Sequence, residues 1–326
     1  MRATDLRLWF IGATAVALLG ASYFHARWAR SDYRTYAQQF VAEIAHVDAV
    51  SARVPSPRLV FAGGSSVVYG IDAGRIGREL GVRTVNLGMP STLGSEANYV
   101  DYLLPHIGPG DVVLYTNTHW WVATPREADI VATQNSRRLA DWLWVLARID
   151  LKERERAEWP LLTPIPDLSM LQRMRLPPAP AAPSFPWRRD SLGTMVTCVP
   201  YSTIFEPLDA PSAAPAPGVT TLSRQFAQRL KARGARVIFF ESPILIVPRE
   251  RKAWERYRAM LRADLAEAAP LLDESDAAMF TTDASRFCDG ASHPSDVGRA
   301  AWAAALLSQI REMPVIEQLR RSTPPS

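Results

Sequence analysis

The sequence predicts an α/β fold built on a doubly wound, mostly parallel β-sheet, with one N-terminal transmembrane helix and a proline-rich insertion. Two patterns support the sheet. Short apolar runs recur along the chain, and each is followed by glycine, serine or another polar residue. Amphipathic stretches of helical period separate these runs. Strands that alternate with helices in this way form parallel sheets with helices on both faces.

The predicted elements follow in chain order. Four apolar runs are predicted as strands, at residues 59–62, 82–87, 111–115 and 235–241. Helices are predicted between the first two strands, ending at Gly81, and at residues 96–107, 219–233, 249–268 and 295–311. Residues 279–283 are predicted to form a short extended piece. Together these elements define a domain at residues 58–315.

The N-terminal segment predicts a membrane anchor. Residues 8–24 (LWFIGATAVALLGASYF) carry no charge, and their seventeen residues are the lower limit for spanning a bilayer. We interpret residues 1–30 as an uncleaved signal anchor, the alternatives being a cleaved signal peptide or a buried helix. Arginines flank the segment on both sides, so the positive-inside rule does not favour export of the domain. Residues 31–57 are predicted to be a stalk and linker, which Pro55 and Pro57 close.

An insertion at residues 120–218 interrupts the alternation of strands and helices. Proline is dense there, as in PPAPAAP at residues 177–183, and tryptophans are concentrated there as well. Because proline prevents regular structure, the insertion is either a disordered linker or a cap whose tryptophans stack on sugar rings. At the other end of the chain, the polar tail at residues 316–326 is predicted to be flexible.

Composition excludes several functions. The formal charge of +4 and the isoelectric point of about 9.2 come from scattered arginines, without the clustered basic stripe of a nucleic-acid-binding protein. Two cysteines, Cys198 and Cys288, and few histidines do not make a zinc pattern. The cysteines are either separate buried thiols or one disulfide, which would require an oxidising compartment. No motif implies a metal ion or an organic cofactor.

Polar residues collect at the carboxyl ends of the predicted strands, where ligands bind in α/β sheets. A serine after the first strand either caps the following helix or acts as a nucleophile. The other polar groups are those that acyl transfer needs, namely a base, an orienting carboxylate and donors for an oxyanion. The candidates in chain order are Ser65, Ser66, Gly88, Asn117, Asp289 and His293.

The order of these motifs resembles that of the SGNH, or GDSL-like, hydrolase superfamily. Residues 64–66 (GSS) with Gly70 are similar to its first block, GDSxxxG, with serine in place of the aspartate. Residues 85–88 (VNLG) are similar to the second block, and residues 115–118 (YTNT) to the third. The resemblance spans residues 58–311 outside the insertion and implies a flavodoxin-like three-layer sandwich.

The resemblance also implies a nucleophile and an oxyanion hole. It makes Ser66 the nucleophile, because Gly70 follows it by four residues, and it leaves Ser65 as the alternative nucleophile. The implied oxyanion donors are the backbone N–H groups of the nucleophile and of the second-block glycine and the side-chain amide of the third block, that is, Ser66, Gly88 and Asn117.

The final block supplies the implied base and its orienting carboxylate. His293 resembles the base and Asp289 the carboxylate, with one residue more between them than the usual DxxH spacing. Because of that longer spacing, Asp283 and Asp296 are alternatives to Asp289 as the carboxylate that orients the imidazole.

Within the superfamily, the chain looks most like membrane-anchored branches such as the alginate acetylation and D-alanyl-lipoteichoic acid proteins. The resemblance implies serine-dependent ester hydrolysis or O-acyl transfer on an extracytoplasmic polysaccharide or cell-envelope polymer. It further implies an inner-membrane, single-pass protein with a periplasmic catalytic domain, working beside a membrane-bound O-acyltransferase. The alternative function is a non-catalytic binding or scaffold subunit of a polysaccharide-modifying membrane complex.

Overall fold

The computed structural model of this chain has the predicted α/β architecture, with a four-stranded parallel sheet. It describes residues 12–14, 16, 46–89, 100, 102–116, 189–195, 207–210, 220–273, 275–288 and 290–322. The strands are β1 (Leu59–Gly63), β2 (Thr84–Asn86), β3 (Val112–Thr116) and β4 (Arg236–Phe239), in the order β2-β1-β3-β4. The bounds of all four lie within two residues of those predicted, so the predicted strands are confirmed.

A second, smaller parallel pair joins β5 (Ile244–Leu245) to β6 (Phe280–Thr281). The strand β6 confirms the extended piece predicted at residues 279–283, whereas the sequence pattern did not predict β5. Two residues are too few to produce the alternation of apolar and polar side chains by which a strand is recognised.

Seven helices with defined ends lie in the described part of the chain. They are α1 (Ser65–Gly70), α2 (Ala73–Leu80), α3 (Thr221–Ala232), α4 (Arg251–Ala266), α5 (Asp276–Met279), α6 (Asp296–Ile310) and α7 (Pro314–Ser322). The predictions for α2, α3, α4 and α6 are confirmed. Residues 46–53 are also helical. Of the helix predicted at residues 96–107, most of the first half lies outside the described residues, and a 3₁₀ turn at Leu104–His106 forms its end.

Side chains of the central strands alternate between two cores, one on each face of the sheet. One core contains Val60, Val113 and Val237, paired across three strands, together with apolar residues of the 46–53 helix, α3 and α4. The other contains Phe61, Leu114 and Ile238, together with apolar residues of α2, α6 and α7. Because both faces are covered by helices, the architecture is compatible with a three-layer fold.

Two segments assigned to the periphery of the domain belong to these cores. Ile316 and Leu319 of α7 are buried, so the prediction of a flexible tail from residue 316 is wrong as far as residue 322. The apolar spacing of this short helix was hidden among arginines and glutamates. Val47 and Val50 are likewise fully buried, so the globular unit includes residues that the sequence analysis assigned to the stalk.

A buried arginine attaches the 46–53 helix to the start of β1. The Arg58 guanidinium donates to the backbone oxygens of Ser51 and Val54, and its Nη2 donates to the His106 carbonyl at 2.7 Å. The Arg58 backbone N–H donates to the Asp111 carboxylate at 3.0 Å. Burial lowers the pKa of Arg58, and the neighbouring Asp111 carboxylate opposes that shift. The arginine therefore joins the helix to two strand starts at the amino edge of the sheet.

No helix in the described residues is long and apolar enough to cross a membrane. Of the predicted anchor at residues 8–24, only residues 12–14 and 16 are described, and they are helical. Most of the insertion at residues 120–218 also lies outside the described residues, although residues 189–195 pack beside β2 through the hydrogen bond from Asn86 N to Leu192 O at 2.8 Å.

Candidate active site

A serine and a histidine meet at the carboxyl edge of the sheet. Ser65 is the first residue of α1, directly after the turn that ends β1, and His293 lies in the loop before α6. The distance between His293 Nε2 and Ser65 Oγ is 2.8 Å. With Nε2 unprotonated, the serine hydroxyl donates to the imidazole, which is the arrangement by which a histidine removes a proton from a serine.

The geometry favours Ser65 over Ser66 as the serine that His293 can activate. Successive residues of a helix point about 100° apart, so two neighbouring serines cannot present their hydroxyls in the same direction. Ser65 points toward His293, whereas Ser66 is fully buried. The motif spacing alone had favoured Ser66, with Ser65 as the alternative.

Two glycines allow the elements around Ser65 to approach closely. Gly63 has a φ of +152°, and a Cβ there would lie 2.1 Å from the backbone oxygen of Thr116 on β3. A Cβ on Gly70 would lie 2.4 Å from the Trp302 ring and 2.9 Å from Pro294. Gly70 therefore permits α6 and the His293 loop to pack on α1, which explains a glycine at this spacing.

Tyr69 forms the other side of the histidine site. Its ring stacks on the His293 imidazole with centroids 4.3 Å apart and an angle of 4° between the planes. Because Tyr69 follows Ser65 by four residues, both side chains lie on one face of α1, one turn apart. Sequence reasoning missed this residue, although the i, i+4 spacing from a candidate nucleophile was a usable signal.

The His293 loop is closed by backbone hydrogen bonds and a disulfide. Cys288 N donates to His293 O at 2.8 Å, and His293 N donates to Gly290 O at 3.1 Å. Cys288 is disulfide-bonded, which confirms the disulfide hypothesis. Cys198, the only other cysteine of the chain, lies outside the described residues. The covalent bond therefore anchors the loop five residues before the histidine.

The three candidate carboxylates differ in what the structure reveals of them. Asp289 lies outside the described residues. The Asp283 carboxylate accepts from the hydroxyl and backbone N–H of Ser285, and these hydrogen bonds lower the pKa of Asp283. The Asp296 carboxylate is exposed and lies 3.4 Å from Arg299 Nη2. Both alternatives to Asp289 are therefore engaged with groups other than the imidazole.

Of the predicted oxyanion donors, Gly88 already has a hydrogen-bond partner, and Asn117 lies outside the described residues. The Gly88 N–H donates to Asn86 Oδ1 at 3.0 Å. The same side chain donates through Nδ2 to the carbonyls of Val67 and Ile71, at 2.9 and 3.1 Å. Asn86, which sequence reasoning did not single out, therefore ties the end of β2 to the helix that carries Ser65.

The described residues contain no group of three histidine, cysteine or acidic side chains that could hold a metal ion. A cavity of about 400 Å³ lies at the amino edge of the sheet, lined by Asp48, Arg58 and His106 among others. It is at the opposite edge from Ser65. Burial lowers the pKa of His106 there, although the nearby Asp48 carboxylate opposes the shift.

Comparison with known proteins adds no relative to this picture: no protein-family model matches the chain, and no curated protein sequence matches it.

Proposed function

We propose that this protein is a serine-dependent esterase or O-acyltransferase in which Ser65 is the nucleophile and His293 the general base. The observation that carries the proposal is the 2.8 Å distance between His293 Nε2 and Ser65 Oγ at the carboxyl edge of a parallel sheet. A serine hydroxyl is a weak nucleophile until a base within hydrogen-bond reach takes its proton. The half-buried imidazole fulfils that requirement.

The chemistry proceeds in two acyl-transfer steps. His293 takes the Ser65 proton as Oγ attacks the ester carbonyl, and the resulting imidazolium then protonates the departing alcohol. An acyl-serine remains. Water, or the hydroxyl of an acceptor, attacks the acyl-serine while His293 again removes a proton. The imidazolium returns that proton to Ser65 Oγ as the bond between Oγ and the acyl carbon breaks. Hydrolysis and transfer differ only in that acceptor.

The developing oxyanion requires two or more donors. The resemblance assigns one oxyanion donor to the backbone N–H of the nucleophile. With Ser65 as the nucleophile, that donor is the Ser65 N–H. Asn117 stays in the proposal as a side-chain donor. The Gly88 N–H can contribute only if it donates to the substrate oxyanion in place of Asn86 Oδ1, or donates to both acceptors at once.

For the biological setting we propose a membrane-anchored member of the SGNH superfamily that acts on an extracytoplasmic polysaccharide or envelope polymer. Support comes from the motif order, from the uncharged segment at residues 8–24 and from the disulfide at Cys288. A disulfide persists in oxidising compartments such as the periplasm, which agrees with an exported domain anchored in the inner membrane. The proposed partner is a membrane-bound O-acyltransferase.

The test is hydrolysis of p-nitrophenyl acetate by the full-length chain in detergent. We expect Ser65→Ala and His293→Ala to lower kcat by about 10⁴-fold, because they remove the nucleophile and its base. Ser66→Ala is the matched control and should keep kcat within about threefold, since it alters a neighbouring hydroxyl without removing the nucleophile. Equal losses in Ser65→Ala and Ser66→Ala, or full activity in Ser65→Ala, would contradict the assignment.

The engaged Gly88 N–H favours one second candidate, a non-catalytic subunit that binds an acylated polymer. That candidate predicts no hydrolysis by folded wild-type protein, and polymer binding that survives Ser65→Ala. The esterase proposal predicts activity that disappears in the same variant, so the wild-type and Ser65→Ala proteins distinguish the two.

A further inference from the structure

The stacked pair at the site has a geometry that a packing contact alone does not require. The Tyr69 and His293 rings are within 4° of parallel, with centroids 4.3 Å apart, whereas another tyrosine–histidine contact in the described part of the chain, between Tyr102 and His106, is tilted by 59° at 5.0 Å. The parallel arrangement sets one face of the imidazole against the phenol face. Tipping the ring away from the parallel orientation would lose that contact.

We propose that Tyr69 is a positioning residue that holds the His293 ring with Nε2 on Ser65 and stabilises the imidazolium formed when the proton is taken. This inference rests on the proposed function and adds a third side chain to it. Tyr69 and Ser65 lie one turn apart on the same short helix. The two groups that contact the His293 ring, the Ser65 hydroxyl and the Tyr69 phenol, are therefore held in a fixed relation to each other by one helix.

Tyr69 can act as a fixed surface because it is itself held. Its side chain is 2 % exposed and packs in a cluster with Val68, Met195 and Cys288. Its backbone oxygen accepts from Arg299 Nε at 2.8 Å, and Arg299 Nη1 donates to Met195 O at 2.8 Å. Arg299 belongs to α6, so the helix that follows the histidine loop also secures the residue on which the histidine stacks.

The electrostatics of the phenol ring favour a positively charged imidazole over a neutral one. The face of a phenol ring carries partial negative charge, and a cation within about 6 Å of the ring centroid is attracted to it. The imidazole becomes a cation only after it takes the Ser65 proton. The stacking is therefore stronger in the charged state, and an interaction that strengthens as the reaction proceeds raises kcat rather than lowering KM.

The experiment compares three variants of the full-length protein in the ester assay. Tyr69→Leu removes the aromatic face, and we expect kcat to fall about tenfold with KM within twofold of wild type. Tyr69→Phe keeps the face and should stay within about threefold of wild type in kcat. Tyr102→Leu is the matched control, because it removes a tyrosine that contacts a different histidine, His106, at the far edge of the sheet, and it should leave kcat unchanged.

A second measurement reports the stacking without reference to activity. In selectively ¹³C-histidine-labelled protein, a ring lying over a phenol face has ring protons shifted upfield, and His293→Gln identifies the signal among the five histidines. The upfield shift should persist in Tyr69→Phe and disappear in Tyr69→Leu. A folded wild-type protein without activity but with this shift would overturn the proposed function and leave the stacking intact.

Three results would overturn the inference itself. One is the absence of the upfield shift in the wild type. Another is a Tyr69→Leu variant with wild-type kcat. The third is equal loss of kcat in Tyr69→Phe and Tyr69→Leu, since a role of the ring face requires that phenylalanine replace tyrosine.

Discussion

Asn86 is the residue through which the sheet controls the position of α1, and its replacement gives the sharpest stability test. Its fully buried side chain makes three hydrogen bonds, to Gly88 N, Val67 O and Ile71 O, at 3.0, 2.9 and 3.1 Å. In Asn86→Ala all three backbone groups lose this partner in the interior. Each such loss costs about 1–3 kcal/mol, so we expect the free energy of unfolding to fall by about 4 kcal/mol.

Thr84→Val provides the matched comparison on the same strand. Thr84 is buried, and its hydroxyl makes one hydrogen bond, to Ala73 O at 2.6 Å. Valine has nearly the same shape, so this variant should lose only about 1–2 kcal/mol. Urea denaturation of the oxidised proteins, monitored by circular dichroism, measures both losses. If Asn86→Ala loses no more than Thr84→Val, the reasoning that the three bonds hold α1 on β2 is refuted.

Two further predictions concern the histidines. In Gly290→Ala the new Cβ would lie 3.1 Å from His293 Nδ1, so the imidazole ring must shift by a few tenths of an ångström. We expect kcat to fall about fivefold in this variant, while the control variant Gly74→Ala keeps wild-type kcat. An unchanged kcat in Gly290→Ala would contradict this prediction, because it would show that the loop accommodates the methyl group. Burial lowers the pKa of His46 from 6.5 to about 4, so between these values the unfolded chain binds a proton that the folded one does not, and stability falls as the pH falls. His46→Gln should therefore make the decline in urea midpoint from about pH 7 to pH 4.5 shallower without abolishing it, because the pKa of His106 is also lowered; parallel declines would contradict this assignment.

Much of the fold follows from local patterns in the sequence. The runs LVFA at 59–62 and VVLY at 112–115 are apolar on consecutive residues because both faces of their strands are buried, and that requirement is visible without knowing what covers them. Gly81 ends α2 with a φ of +66°, a conformation that favours glycine and therefore shows in the sequence. The polar residues after the strands could also be recognised locally, because they interrupt the apolar runs.

The features that local patterns did not reveal depend on contacts between distant parts of the chain. The helix α7 contributes only two buried side chains, Ile316 and Leu319, within a charged sequence, so its burial is decided by the core it covers. Tyr69 likewise shows its role only when His293, more than two hundred residues later, is brought against it.

The sequence by itself predicted that two serines would follow the first strand and that His293 was a candidate to pair with one of them. Only the tertiary structure shows which of the two, Ser65 or Ser66, has its hydroxyl against His293. Both serines follow the same turn and have the same chemistry, so no local preference separates them. What separates them is the rotation of about 100° per helical residue, which directs Ser65 toward the loop held by Cys288 and leaves Ser66 in the interior.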